Sequence, residues 1–152
     1  LYCTPVADER GLTGAADEWS GRTAPSLATF EDMAHAAFAA LPEAFRTLCG
    51  GVVVRIEDFP DEDTVRDMEL ESEFDLLGLF RGVGLAQGGY AEGLPTGQFP
   101  NMVWLYRRPI LDYWAEHEET LGSIVTHVLV HEIGHHFGLS DDDMERIEAA
   151  AG

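Results

Sequence analysis

The sequence predicts a single α+β domain, and three observations predict it. Apolar residues recur at helical spacing in two long stretches. Three other runs are short and rich in β-branched or aromatic residues. Glycine and proline clusters separate the two kinds of segment. With 152 residues and 45% hydrophobic side chains, the chain can bury one apolar core.

Residues 1–28 are polar, small and irregular, so a flexible N-terminal extension is expected there, followed by the folded domain over 29–152. From Thr29, Phe30, Met33, Ala37, Phe38, Leu41, Phe45 and Leu48 fall three and four apart, which predicts helix. Thr29 to Asp32 reads as a variant capping box. Pro42 divides this stretch into two helices and serves the first turn of the second, which Gly50-Gly51 stops. Val52–Glu57 reads as a strand. Residues 57–75 then hold ten acids and one arginine, a helix or loop with a strongly solvated face. Leu76–Phe80 reads as a second strand, six glycines between Gly82 and Gly97 as a long loop, and Met102–Tyr106 as a third strand. Pro109 ends that strand, and Leu111, Tyr113 and Trp114 suggest a further short turn or helix. From about Glu118 to Phe137 the chain is apolar over most of a helical circumference, so this helix is expected to be buried, with Gly138 as its C′ residue. Ser140-Asp141-Asp142-Asp143 resembles a capping box that starts a final short helix.

Charge narrows the function. Twenty-eight acids face nine bases, all of them arginine, for a net charge of −19. Such a chain lacks the cations that displace counterions from nucleic acid, and it is repelled by anionic membrane. Neutral or basic partners are favoured. No run of about 18 apolar residues occurs, so no membrane-spanning helix is expected. Cys3 and Cys49 are too few for a disulfide framework, and the N-terminus lacks the basic and apolar regions of a signal peptide. A cytoplasmic location is therefore expected; the absence of an initiating Met leaves a removed signal as the alternative.

The chemistry concentrates in His131-Glu132-Ile133-Gly134-His135, an HExxH string that continues to HExxHxxGxxD at Asp141. Histidines four apart on a helix share one face, about 6 Å apart along the axis, so both reach one Zn²⁺. Glu132 is rotated about 100° from His131, where it meets a water rather than the metal. Gly138 can take a left-handed backbone, fold the chain back and bring Asp141 toward the ion as a third ligand, with Asp142 or no third ligand as the alternatives. Two histidines and one carboxylate leave a fourth position open, as in catalytic zinc sites. Composition alone gives roughly 0.0002 chance occurrences of the full string.

The string His131–Glu148 resembles the small bacterial zincin-like metallopeptidases, and the resemblance extends upstream through Leu41–Phe45, Val52–Pro60, Asp75–Gly82 and Leu105–Ile110. It covers about residues 29–148. It implies a minimal zincin-like fold: a small mixed sheet packed on the HExxH helix, with an edge strand beside the cleft. Met102–Tyr106 is the candidate for that strand. The Gly-Asp extension is also similar to short metzincin-like peptidases with Asp as third ligand. Those carry a later Met-turn, whereas Met144 here falls on the final helix.

Other residues are weighed against plainer roles. His127 lies one turn before His131 and either extends the metal cluster or packs beside it. His136 points away from the His131/His135 line, as a structural or substrate-contacting residue. His35 and His117 read as surface residues. Glu57 and Asp58 end a strand as solvated acids that could approach the helix. Tyr106 and Tyr113 are candidates to stabilise an oxyanion or are simply aromatic packing. The expected function is a zinc metallopeptidase acting on a neutral or basic peptide or protein, with Glu132 as general base. The rival expectation is a zincin-shaped module that binds metal or peptide without turnover.

Overall fold

A computed structural model describes residues 12–82 and 101–151. Its helices are α1 (Leu12–Ser20), α2 (Leu27–Ala40), α3 (Glu43–Cys49), α4 (Glu62–Asp67), α5 (Arg107–Glu116), α6 (Leu121–His136) and α7 (Asp141–Ala151). Among the described residues the strands are β1 (Val52–Glu57), β2 (Gly78–Arg81) and β3 (Asn101–Tyr106), and a 3₁₀ turn covers Glu73–Asp75. The fold class is α+β, as the sequence predicts. Most of the expected glycine-rich loop lies outside the described residues, as does Cys3.

Local chemistry explains where the helices begin. Ser26 caps α2 by accepting from the Thr29 amide at 3.1 Å, so the helix starts earlier than the expected box at Thr29. Asp61 caps α4 inside the acidic stretch, accepting from the Thr64 amide at 2.7 Å. Thr120 caps α6 by accepting from Ser123 at 3.1 Å. Ser140 and Asp143 form the expected reciprocal box for α7: the Asp143 amide donates to Ser140 Oγ and the Ser140 amide to an Asp143 carboxylate oxygen. Gly138, with φ of 75°, ends α6 as the expected C′ residue. Residues 12–20, expected within the flexible extension, are helical. There Trp19 lies 6.2 Å from the Trp114 ring of α5, and Arg107 Nε donates to the Pro25 carbonyl at 2.6 Å.

The sheet order is β1-β3-β2, with β1 parallel and β2 antiparallel to β3. The expectation that Met102–Tyr106 is the edge strand is therefore corrected: β3 is central, and β2 is the edge that packs against α6. The reason is long-range. β3 pairs with β1 from Val52↔Asn101 to Glu57↔Tyr106 on one side and with Gly78–Arg81 on the other, which no local pattern specifies.

Helices α2 and α6 cover one face of this sheet. Phe30, Val103, Leu105, Ile110, Ile124, Leu129, Ile133 and Met144 are fully or almost fully buried between these layers and α7. Burying each large apolar side chain stabilises the fold by about 1.5–3 kcal/mol. Cys49 is buried at the end of α3, where its thiol donates to the Phe45 carbonyl. Burial pushes its pKa up to about 11, so it is a neutral packing residue at neutral pH. No helix among the described residues is long and apolar enough to cross a membrane.

Candidate metal centre

Helix α6 carries the site on the side left free by its packing. Its core stripe is Leu121, Ile124, Val125, Val128, Leu129, Val130, Ile133 and Gly134. His127, His131 and His135 stand four apart outside that stripe, one above the other. The His127 and His131 ring centroids are 3.9 Å apart. Those of His131 and His135 are 5.7 Å apart with the rings nearly perpendicular.

Helix α7 crosses beneath this row. A Cβ built on Gly134 would lie 2.6 Å from Met144 Sδ, so the glycine inside HExxH is what lets α7 approach so closely. Met144, expected only as a residue too early for a Met-turn, is fully buried at that crossing. One turn on, Glu148 reaches the histidines. Its Oε1 lies 2.8 Å from His127 Nδ1 and 3.4 Å from His131 Nε2. Neither approach is aligned as a hydrogen bond, and both Glu148 Oε1 and His131 Nε2 are buried without a hydrogen-bond partner. Burial and the neighbouring His127 hold His131 below the usual histidine range, with Glu148 opposing. The neutral imidazole this favours is the form that ligates metal.

Glu132 faces the sheet. A Cβ on Gly78 of β2 would lie 2.6 Å from Val128 Cγ1 and 3.4 Å from Glu132 Cγ. Burial raises the Glu132 pKa above the usual carboxylate value, and His135 pulls it partly back. His136 packs its ring 4.3 Å from Phe80 and occupies the space where a Gly82 side chain would stand, so it locks the end of β2 to α6.

The remaining expected site residues fall as follows. Asp141 opens α7 and is exposed. It lies close enough to favour protonated His131, yet outside the His127–His131–Glu148 group, the one set of ligand-type atoms that gathers within 4.8 Å among the described residues. Asp142 is exposed beside it, and His135 is exposed as well. Tyr106 is buried, and desolvation followed by the charges of Glu57 and Asp61 pushes its pKa up to about 12, so it keeps its proton. Tyr113 stacks on His117 at 3.8 Å. Asp58 pairs with Arg107 at 2.9 Å, and Glu57 is exposed.

Glu148 was not legible as a site residue from the motif. A usable signal was present: it stands four residues after the apolar Met144, hence on the same face of α7.

The chain matches the family described as zincin-like metallopeptidase over residues 49–151, from the end of α3 to the end of α7. No curated relative matches it. The match takes in all three strands, the HExxH helix and the helix that crosses it. The chain belongs to the zincin-like metallopeptidase family.

Proposed function

We propose that the protein is a zinc-dependent metallopeptidase that hydrolyses peptide bonds. The observation that carries this reading is one helix, α6, presenting a metal-type face and a base-type face side by side. His131 Nε2 is buried without a hydrogen-bond partner, and Glu132, one residue on, is half-buried against the edge strand with a raised pKa. An orphaned imidazole nitrogen, a second histidine four residues away and nearby carboxylates are a donor set that suits Zn²⁺.

His131 and His135 would hold the ion, with Asp141 as third ligand from the start of α7. Gly138, in its left-handed conformation, ends α6 three residues before Asp141. A bound zinc ion supplies Lewis acidity toward a carbonyl and toward water. Glu132 accepts a proton from the attacking water at its carboxylate and returns it to the departing amine. On the sheet side Glu132 meets Gly78 of β2, where a built Cβ would lie 3.4 Å from Glu132 Cγ. Strand β2 lies at the sheet edge among the described residues, and its backbone can pair with an extended peptide laid beside Glu132. The net charge of −19 favours a neutral or basic substrate.

The rival reading, a metal-binding module without turnover, is favoured by His131 facing Glu148 rather than His135. One assay separates the two. Zinc-loaded protein is incubated with a peptide mixture, and the products are read by mass spectrometry. The expected result is cleavage that stops with a chelator and returns with zinc. A zinc-loaded protein that cleaves nothing leaves the module.

A further inference from the structure

The reaction above uses neither His127 nor Glu148, yet these two residues and His131 make the tightest ligand-type cluster among the described residues. We propose that His127, His131 and Glu148 form a second position for a divalent cation of the zinc class, and that this position competes with the HExxH pair for His131. The site itself stands on its own geometry. The competition rests on the reading of His131 and His135 as zinc ligands.

Ligands at about 2.0–2.2 Å from a tetrahedral ion stand roughly 3.4 Å from one another. His131 Nε2 and Glu148 Oε1 are 3.4 Å apart. The 2.8 Å between His127 Nδ1 and Glu148 Oε1 must widen by about 0.6 Å to reach that separation, which His127 can do because 55% of its side chain is exposed. The polar atoms also want a partner. Glu148 Oε1 and His131 Nε2 are buried and make no hydrogen bond despite their closeness, a costly arrangement that a cation between them would satisfy.

The framework is stiff. His127 and His131 are one turn apart on a buried helix, and Glu148 is fixed by Met144, one turn earlier on α7, wedged against Gly134. Access is separate from the β2 side. Glu148 lies on the wall of a cleft of about 540 Å³ whose other walls, including Met33, Ala37, Ser123 and Thr126, come from α2, the α6 terminus and α7 and not from the sheet. The His131 ring already lies nearer to His127 than to His135, by centroid distances of 3.9 against 5.7 Å. One nitrogen, Nε2 of His131, faces the cluster. An ion held there takes it away from His135, so the protein carries one ion in either of two places. The second place leaves Glu132 without a metal beside it and is silent.

Cobalt(II) alone is the probe, read by equilibrium dialysis and by visible absorption, on the full chain. No cleavage is measured, so failure here is distinct from failure of the peptidase reading. Wild type is expected to bind one ion. His135→Ala is expected to keep one ion per chain, with a changed spectrum. In the His135→Ala background, His127→Gln or Glu148→Gln is expected to weaken binding by at least about the 10–100-fold seen when a ligand loses its supporting partner. Cooperative thermal unfolding of each metal-free variant checks that it is folded. The proposal is overturned if His135→Ala alone loses cobalt, or if neither further substitution weakens it. Two ions bound together in wild type would overturn the competition. Loss of all bound ion in Glu148→Gln with His135 intact would make Glu148 a ligand of a single centre, and would overturn it too.

Discussion

Glu132→Gln is expected to lower peptide hydrolysis by about 10²–10⁴-fold while leaving the bound metal in place. The substitution keeps the shape that fits between α6 and the Gly78 backbone, where the side chain is held. It removes the proton-accepting oxygen. Because burial already disfavours the charged carboxylate, a neutral amide adds no desolvation cost, and the stability of the metal-free protein should be unchanged or slightly higher. Initial rates at saturating zinc, with metal content determined on the same samples, check this. Equal rates for the two proteins would mean that the proton acceptor lies elsewhere and that Glu132 is a packing residue.

Gly78→Val should be the most damaging small substitution in the sheet. A Cβ there lies 2.6 Å from Val128 Cγ1 and 3.0 Å from the Trp104 carbonyl oxygen. Neither neighbour can retreat. Val128 is buried in α6, and the carbonyl belongs to the central strand. Strand β2 must therefore move off the helix, at a cost of about 1–3 kcal/mol from overpacking. Because Glu132 Cγ sits beside the same position, hydrolysis should fall with stability rather than independently of it. Urea unfolding reads the first effect and the peptide assay the second. Gly122→Ala is the matched control: an added Cβ meets nothing there, so the helix should gain up to about 1 kcal/mol. If Gly78→Val matched wild type in both assays, the close packing of β2 on α6 would be wrong.

What the sequence revealed follows the range of the forces involved. The HExxH pair was legible because helix geometry alone sets the spacing of His131 and His135 and the rotation of Glu132. The C-terminal end of α6 and the start of α7 were legible for a similar reason: Gly138 and the Ser140–Asp143 box act within a few residues. Strand order was not. Each of the three strands is six residues or fewer, and only the pairing of residues some fifty positions apart, as in Val52↔Asn101, makes β3 central. Helix α1 was missed because its packing depends on Trp19 meeting Trp114. Glu148 was missed because its approach to His127 and His131 depends on how α7 crosses α6. At that crossing Met144 packs against the bare backbone of Gly134.

His131 is common to the HExxH pair and to the Glu148 cluster, so both proposed positions for a metal use it. Zinc retained per chain after exhaustive dialysis, measured on wild type and on His131→Ala, therefore tests the central claim that α6 carries a metal centre. One retained zinc in wild type and none in His131→Ala is the predicted result. Equal zinc in the two proteins, or a wild type that retains none when zinc was supplied, would contradict it.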